Sequence, residues 1–204
     1  MPHEDDLFHV GMIGTLHNPR RITSFLFPVI KDIPGIRIMF AVSHVINNMA
    51  DLNMMGGWDA RDKVFNSCAP WVALPNLYNR FDVVLRVDHD PGYSFPVQEA
   101  QACGVPFIAT SQGIDHLFSE AGGGILIEAP NVDYSGSGRE YYINNQGELA
   151  ERTRDAIIWM RDHPKERKEM GKKGREEVLK NWTWEVQIPK WRKFIREGYE
   201  NCYG

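Results

Sequence analysis

Apolar positions come first as short continuous runs between turn signals, and later as stripes of helical period. The first run, Leu7 to Ile13 ("LFHVGMI"), breaks at Gly14 and predicts a strand. The spacing from Arg20 to Ile33 predicts an amphipathic helix, with Pro28 counting against it. "PGIRIMFAVS" predicts a turn and a second strand, and the apolar run from Val64 to Leu74 a third. Between them, "MMGGWD" gives only a turn signal. "LPNLYNRF" predicts a short helix with Pro75 near its start, and "DVVLRV" is the β-branched, apolar run of a buried parallel strand. A helix from Phe95 to Cys103, a strand from Phe107 to Thr110 and a sixth strand in "GGILIE" continue the alternation.

Strands alternate with helices, and no hairpin signal joins two strands. The predicted fold class is α/β: a single Rossmann-like domain over residues 1–204, with a parallel six-stranded sheet, helices on both faces and a helical C-terminal tail from about residue 146 to 204. The tail reads as three helices, "GELAERTRDAIIWMRDH", "PKERKEMGKKGREEVLKN" and "WTWEVQIPKWRKFIREGYE". The insert before it, "APNVDYSGSGREYYINNQ", is polar and reads as a mobile surface loop. Trp159, Trp182, Trp184 and Trp191 crowd the last quarter and are expected to pin the final helix.

Bulk numbers narrow the classes. A chain of 204 residues, 43% hydrophobic and 25% charged, is an ordinary globular composition. A net charge of −4 offers no basic face for nucleic acid. No apolar run approaches the ~20 residues of a membrane helix, and the opening "MPHEDD" has no signal-peptide pattern. Cys68, Cys103 and Cys202 form neither a metal spacing nor a disulfide framework, so a reducing, cytoplasmic setting is the simplest expectation.

Glu99 stands out within "DHDPGYSFPVQEAQACGVPFIATSQG". Ser94 can cap a helix, Pro96 suits its first turn, and Gly104 followed by Pro106 ends it. Val97, Ala100 and Cys103 then share a sheet-facing side, while Glu99 falls elsewhere, about a turn in. In an open parallel sheet, ligands bind at the carboxyl ends of the strands, where such helices begin. Gly92 to Ser94 can offer backbone N–H groups to an anion, and Glu99 can accept from a vicinal diol such as a ribose. A solvated surface glutamate is the other reading that local geometry leaves open.

"FPVQEAQACGVPFIATSQGIDHLFSEAGGGILIE" resembles the donor-binding half of retaining GT-B glycosyltransferases of the glycogen-synthase-like and mannosyltransferase-like group. "LYNRFDVVL" resembles the element before that motif, "RKEMGKKGREEVLKNWTWE" the helical tail, and "VGMIGTLHNPRR" the opening strand and basic loop. The likeness runs along nearly the whole chain in order. It implies a glycosyltransferase donor domain whose substrate is a UDP-, GDP- or ADP-sugar, with no resident cofactor and no metal. It also implies that Glu99 holds the ribose, that the amides of Gly92, Tyr93, Ser94 and Phe95 meet the phosphate and sugar, and that the opening loop at Gly14 and Thr15 lies by the diphosphate. The resemblance further implies that Arg20, with Arg21 beside it, neutralises that diphosphate, and that the base lies near Trp71, Val72 and Leu77. The family's sugar-contacting glutamate falls on Pro91, with Asp90 one residue early as its stand-in, so Asp90 and Arg20 are the catalytic candidates. Thr15 stands where the family usually has an arginine.

The resemblance spans one half of such an enzyme, so an acceptor-binding subunit or a second copy is the expected partner. The competing reading is a catalytically degenerate nucleotide-sugar-binding module. A sugar-nucleotide epimerase of the same architecture is a third, disfavoured by chain length. "DHD" at residues 88 to 90 also spells an Asp-x-Asp metal motif, though the surrounding chain resembles the metal-independent fold. His89 and His116 are loop histidines near the expected site, and Cys103 reads as a small core residue. The basic run "KERKEMGKKGR" reads as a solvated helix face, with weak peripheral contact to anionic lipid as its alternative.

Overall fold

The computed structural model describes residues 6–13, 26, 29–30, 32–41, 64–66, 71–87, 95–110, 120–128 and 138–203. Six parallel strands are laid out in the order β3-β2-β1-β4-β5-β6. They are β1 (Phe8–Ile13), β2 (Ile36–Ala41), β3 (Val64–Asn66), β4 (Val83–Arg86), β5 (Phe107–Thr110) and β6 (Gly124–Ile127). Five have four to six residues, and β3 is a three-residue edge strand beside β2. The helices described from end to end are α1 (Leu74–Tyr78), α2 (Phe95–Ala102), α3 (Gly138–Asp162), α4 (Pro164–Asn181) and α5 (Trp184–Tyr203).

Strand alternation sorts the core onto two faces. Val10, Ile38, Val83, Leu85 and Ile108 point to one side and pack with Leu26, Ile30 and Ile157 of α3. Met39 and Val84 point to the other and pack with Leu77 and Tyr78 of α1 and Ala100 of α2. Phe107 and Ala109 of β5 meet Val97 of α2, with Trp182 against them. The runs are continuous in sequence because both faces are covered, as a parallel sheet between helices demands.

Three expectations are corrected. Among the described residues of the apolar run from Val64 to Leu74, Val64–Asn66 is strand and Trp71–Ala73 forms a turn of 3-10 helix. The 3-10 turn at Trp71–Ala73 runs directly into α1 at Leu74, with Pro75 in its first turn, so this part of the run starts a helix. The second half of the expected surface loop is helical, since α3 starts at Gly138 rather than near Gln146. Gly147 lies inside that helix, where glycine costs only ~1 kcal/mol relative to alanine, and a buried apolar stripe outweighs it. Finally, the tryptophans divide: Trp159 and Trp182 pack against the core, whereas Trp184 and Trp191 are exposed.

The basic run in α4 is also more than a solvated face. Arg167 donates to Asp82 at 3.0 Å and to the carbonyl of Met160 at 2.9 Å, and its guanidinium lies 4.9 Å from the centre of the Phe8 ring. Asp82 in turn accepts from the backbone N–H of His9 at 2.9 Å. One arginine thus ties α4 and the end of α3 to the entries of β1 and β4. Lys165, Lys168, Lys172 and Lys173 on the same helix are exposed, as expected.

Candidate functional site

The strand order reverses between β1 and β4. From β1 the chain moves outward to β2 and β3, and from β4 it moves the other way to β5 and β6. At such a switch point the two flanking connections leave on opposite faces, which opens a crevice at the carboxyl ends of the strands. Strands β1 and β4 end there at Ile13 and Arg86, and α2 is the next described element after β4. Gly14, Thr15, Arg20, Arg21, His89, Asp90, Pro91, Gly92, Tyr93, Ser94 and His116 lie outside the described residues.

Helix α2 is short, and its ends explain its position. Its C-terminus closes with Gly104 at φ 76°, a left-handed conformation that glycine adopts without steric cost. The amide of Gly104 donates to Gln101 O at 2.8 Å, and that of Val105 to Ala100 O at 2.9 Å, the paired bonds of a Schellman turn. Arg175 of α4 donates to the Ala102 carbonyl, adding a cation where the helix is negative. Gly171 of α4 lies so close to Gly104 that a Cβ there would overlap the Gly104 carbonyl oxygen. An eight-residue helix is not stable by itself. This one is held by the sheet on one side and by α4 at its end.

Glu99 sits half-buried in α2. Its Oε2 accepts a 2.5 Å hydrogen bond from the hydroxyl of Tyr78, which is 1% exposed beneath it in α1. The Tyr78 ring meets Phe81 edge-on, with centres 6.2 Å apart. Burial, and next the Glu99 carboxylate, push the Tyr78 phenol far above its ordinary range, so it stays a donor at any physiological pH. Cys103 is half-buried beside this group, and burial raises its thiol too, in keeping with a packing role.

The structure separates the other expected site residues. Phe95 opens α2 with an exposed side chain. Val72 is 85% exposed in the 3-10 turn before α1. Leu77 is buried and packs in the cluster that holds Met39, Phe81 and Val84. Tyr78 was not singled out as a site residue, although it lies in the quoted "LYNRF"; only its position beneath Glu99 reveals it. Among the described residues, no group of three or more His, Cys, Asp and Glu side chains could hold a metal ion.

Comparison with known proteins adds to this geometry. Residues 20–192 match the family described as glycosyl transferase-like. The chain belongs to that family. No curated protein sequence matches it. Its fold is similar to sucrose-phosphate synthase from Thermosynechococcus elongatus, with TM-score 0.74 and 18% identity over 96% of this chain and 46% of that one. It is also similar to the C-terminal domain of a glycosyl transferase group 1 family protein, LpcC, from Francisella tularensis, with TM-score 0.62 and 15% identity over 90% and 95% of the two chains. HepE of Anabaena, solved in complex with UDP, has TM-score 0.65 and 14% identity over 96% of this chain and 49% of that one. At these identities the likeness is one of fold, the Rossmann-like fold of GT-B glycosyltransferases. This glycosyl transferase-like chain spans about half the length of the synthase it matches.

Proposed function

We propose that this glycosyl transferase-like chain is the C-terminal, donor-binding half of a retaining GT-B transferase of the glycogen-synthase and mannosyltransferase group, and that it binds a nucleotide sugar in the β1–β4 crevice. The observation that carries the reading is Glu99: a half-buried carboxylate on the helix that begins at the switch point, held by a buried hydroxyl. Glu99 accepts from the ribose. The amides at Gly92, Tyr93, Ser94 and Phe95 meet the phosphates and sugar, Arg20 and Arg21 balance the diphosphate beside Gly14 and Thr15, and the base lies near the exposed Val72. As the sugar leaves, negative charge builds on the diphosphate, and preorganised donors stabilise it without a metal or a resident cofactor. Asp90 stands in for the glutamate replaced by Pro91 and contacts the donor sugar. That replacement is also the observation favouring the second reading, a binding module that retains the nucleotide and no longer transfers. The domain works in a reducing cytoplasm, with its acceptor wall on further chain, a partner subunit or a second copy.

Thermal denaturation against UDP, GDP and ADP and their glucose or mannose conjugates tests the reading, because a ligand bound only by the native state raises the midpoint by mass action. One base is expected to stabilise the chain well beyond the others. Glu99→Ala is expected to weaken that ligand by roughly 1.5–3 kcal/mol in calorimetry while the fold persists. Unchanged affinity would remove Glu99 from the site.

A further inference from the structure

The bond between Tyr78 and Glu99 carries a consequence for the site. Tyr78 Oη lies 2.5 Å from Glu99 Oε2, the ring is fixed by burial and by Phe81, and α1 reaches α2 from the core side. Tyrosine has one proton to give, and a carboxylate oxygen can accept two hydrogen bonds. Among the described residues no other group donates to this carboxylate. Its Oε1, and one lone pair of Oε2, therefore remain for a ligand.

We infer that Tyr78 is the positioning residue of the site: its hydroxyl fixes the Glu99 carboxylate in one rotamer, so that the remaining lone pairs meet the two ribose hydroxyls of the nucleotide together. A glutamate on a half-exposed helix face otherwise samples several rotamers, and each ligand would have to select the productive one at an entropic cost. The bond removes that cost before the ligand arrives. The proposal rests on the nucleotide reading of Glu99, and the bland alternative is that Glu99 merely satisfies a buried hydroxyl.

The two are separated by calorimetry on the full chain with whichever nucleoside diphosphate stabilises it, and with the 2′,3′-dideoxy form of the same nucleotide. Tyr78→Phe retains the ring against Phe81 and is expected to fold. It should weaken the ribonucleotide by roughly three- to tenfold, the range for one neutral hydrogen bond, and leave the dideoxy nucleotide unchanged. Equal losses for both ligands would show that Tyr78 only supports the fold, and would overturn the proposal, as would no loss for either while Glu99→Ala still weakens the ribonucleotide. Should Glu99→Ala also leave binding unchanged, the nucleotide reading itself fails. A modest drop in stability of Tyr78→Phe does not blur the result, because the dideoxy ligand reports on it in the same protein.

Discussion

Burial takes water from the Tyr78 phenol, and the adjacent Glu99 carboxylate opposes its ionisation, so its pKa rises above the ordinary tyrosine value of 10.0. The sign of the effect on stability follows by linkage. Below pH 10 the phenol is protonated in both states and contributes no pH dependence. Above it the unfolded chain releases a proton that the native chain keeps, so stability falls as pH rises, by up to ~1.4 kcal/mol per pH unit from this one group. Urea unfolding at pH 9 and pH 11 should therefore show a smaller loss in Tyr78→Phe than in the natural chain. Identical losses would mean that the hydroxyl is not held as described. The helix that carries Glu99 was legible from its neighbours alone, because Pro96 suits its first turn and Gly104 with Pro106 stops it. Tyr78 was not. Its partner is 21 residues away, and that pairing exists only once α1 and α2 pack on the same face.

Among the elements, α2 and α4 form the unit that sets the site. Gly171 lets α4 approach the Schellman turn, and Arg175 donates to Ala102 across the same contact. Gly171→Ala places a methyl group against backbone, which cannot rotate away. It is expected to cost about 1–3 kcal/mol, the usual penalty of overpacking, read as a lower urea midpoint at unchanged slope. Since α2 ends at this contact and begins at the crevice, nucleoside-diphosphate affinity should fall as well. A variant as stable as the parent would mean that α4 does not seat on the Gly104 carbonyl. In the sequence, the stretch containing Gly171 shows mainly its charges. Helical period places a residue on a face, but a glycine's value as a contact depends on what comes to meet it.

At the scale of the whole molecule, the last helix has little beneath it. Val186 and Gln187 are half-buried near its start, while every residue from Ile188 to Cys202 is exposed. Among them Trp191, Phe194, Ile195 and Tyr199 leave 57% or more of their surface in water. A soluble chain rarely leaves so many large apolar groups together uncovered. On the reading proposed above, this face meets the second wall of a two-walled cleft. Holding two reactants in register can contribute ~7–11 kcal/mol to lowering a barrier, and one wall cannot supply it. A strictly monomeric preparation of these residues, checked by light scattering at assay concentration, is expected to bind the donor yet transfer sugar very slowly. Fast transfer to a defined acceptor by that monomer would count against the two-walled reading. Among the described residues no helix is long and apolar enough to cross a membrane.

Sequence by itself determined the alternation of strands and helices, the sheet-facing side of α2, and the limits of α2. Each of these depends on neighbours within a turn or a strand: period, caps, proline and glycine. The tertiary structure alone decided that Leu77 belongs to the core, that Tyr78 grips Glu99, that Arg167 joins Asp82 to Phe8, and that α3 continues back through a Gly- and Asn-bearing stretch to Gly138. These depend on which surfaces meet. Contact between residues far apart in the chain has no local signature, because its free energy comes from water displaced between elements that the sequence lists separately.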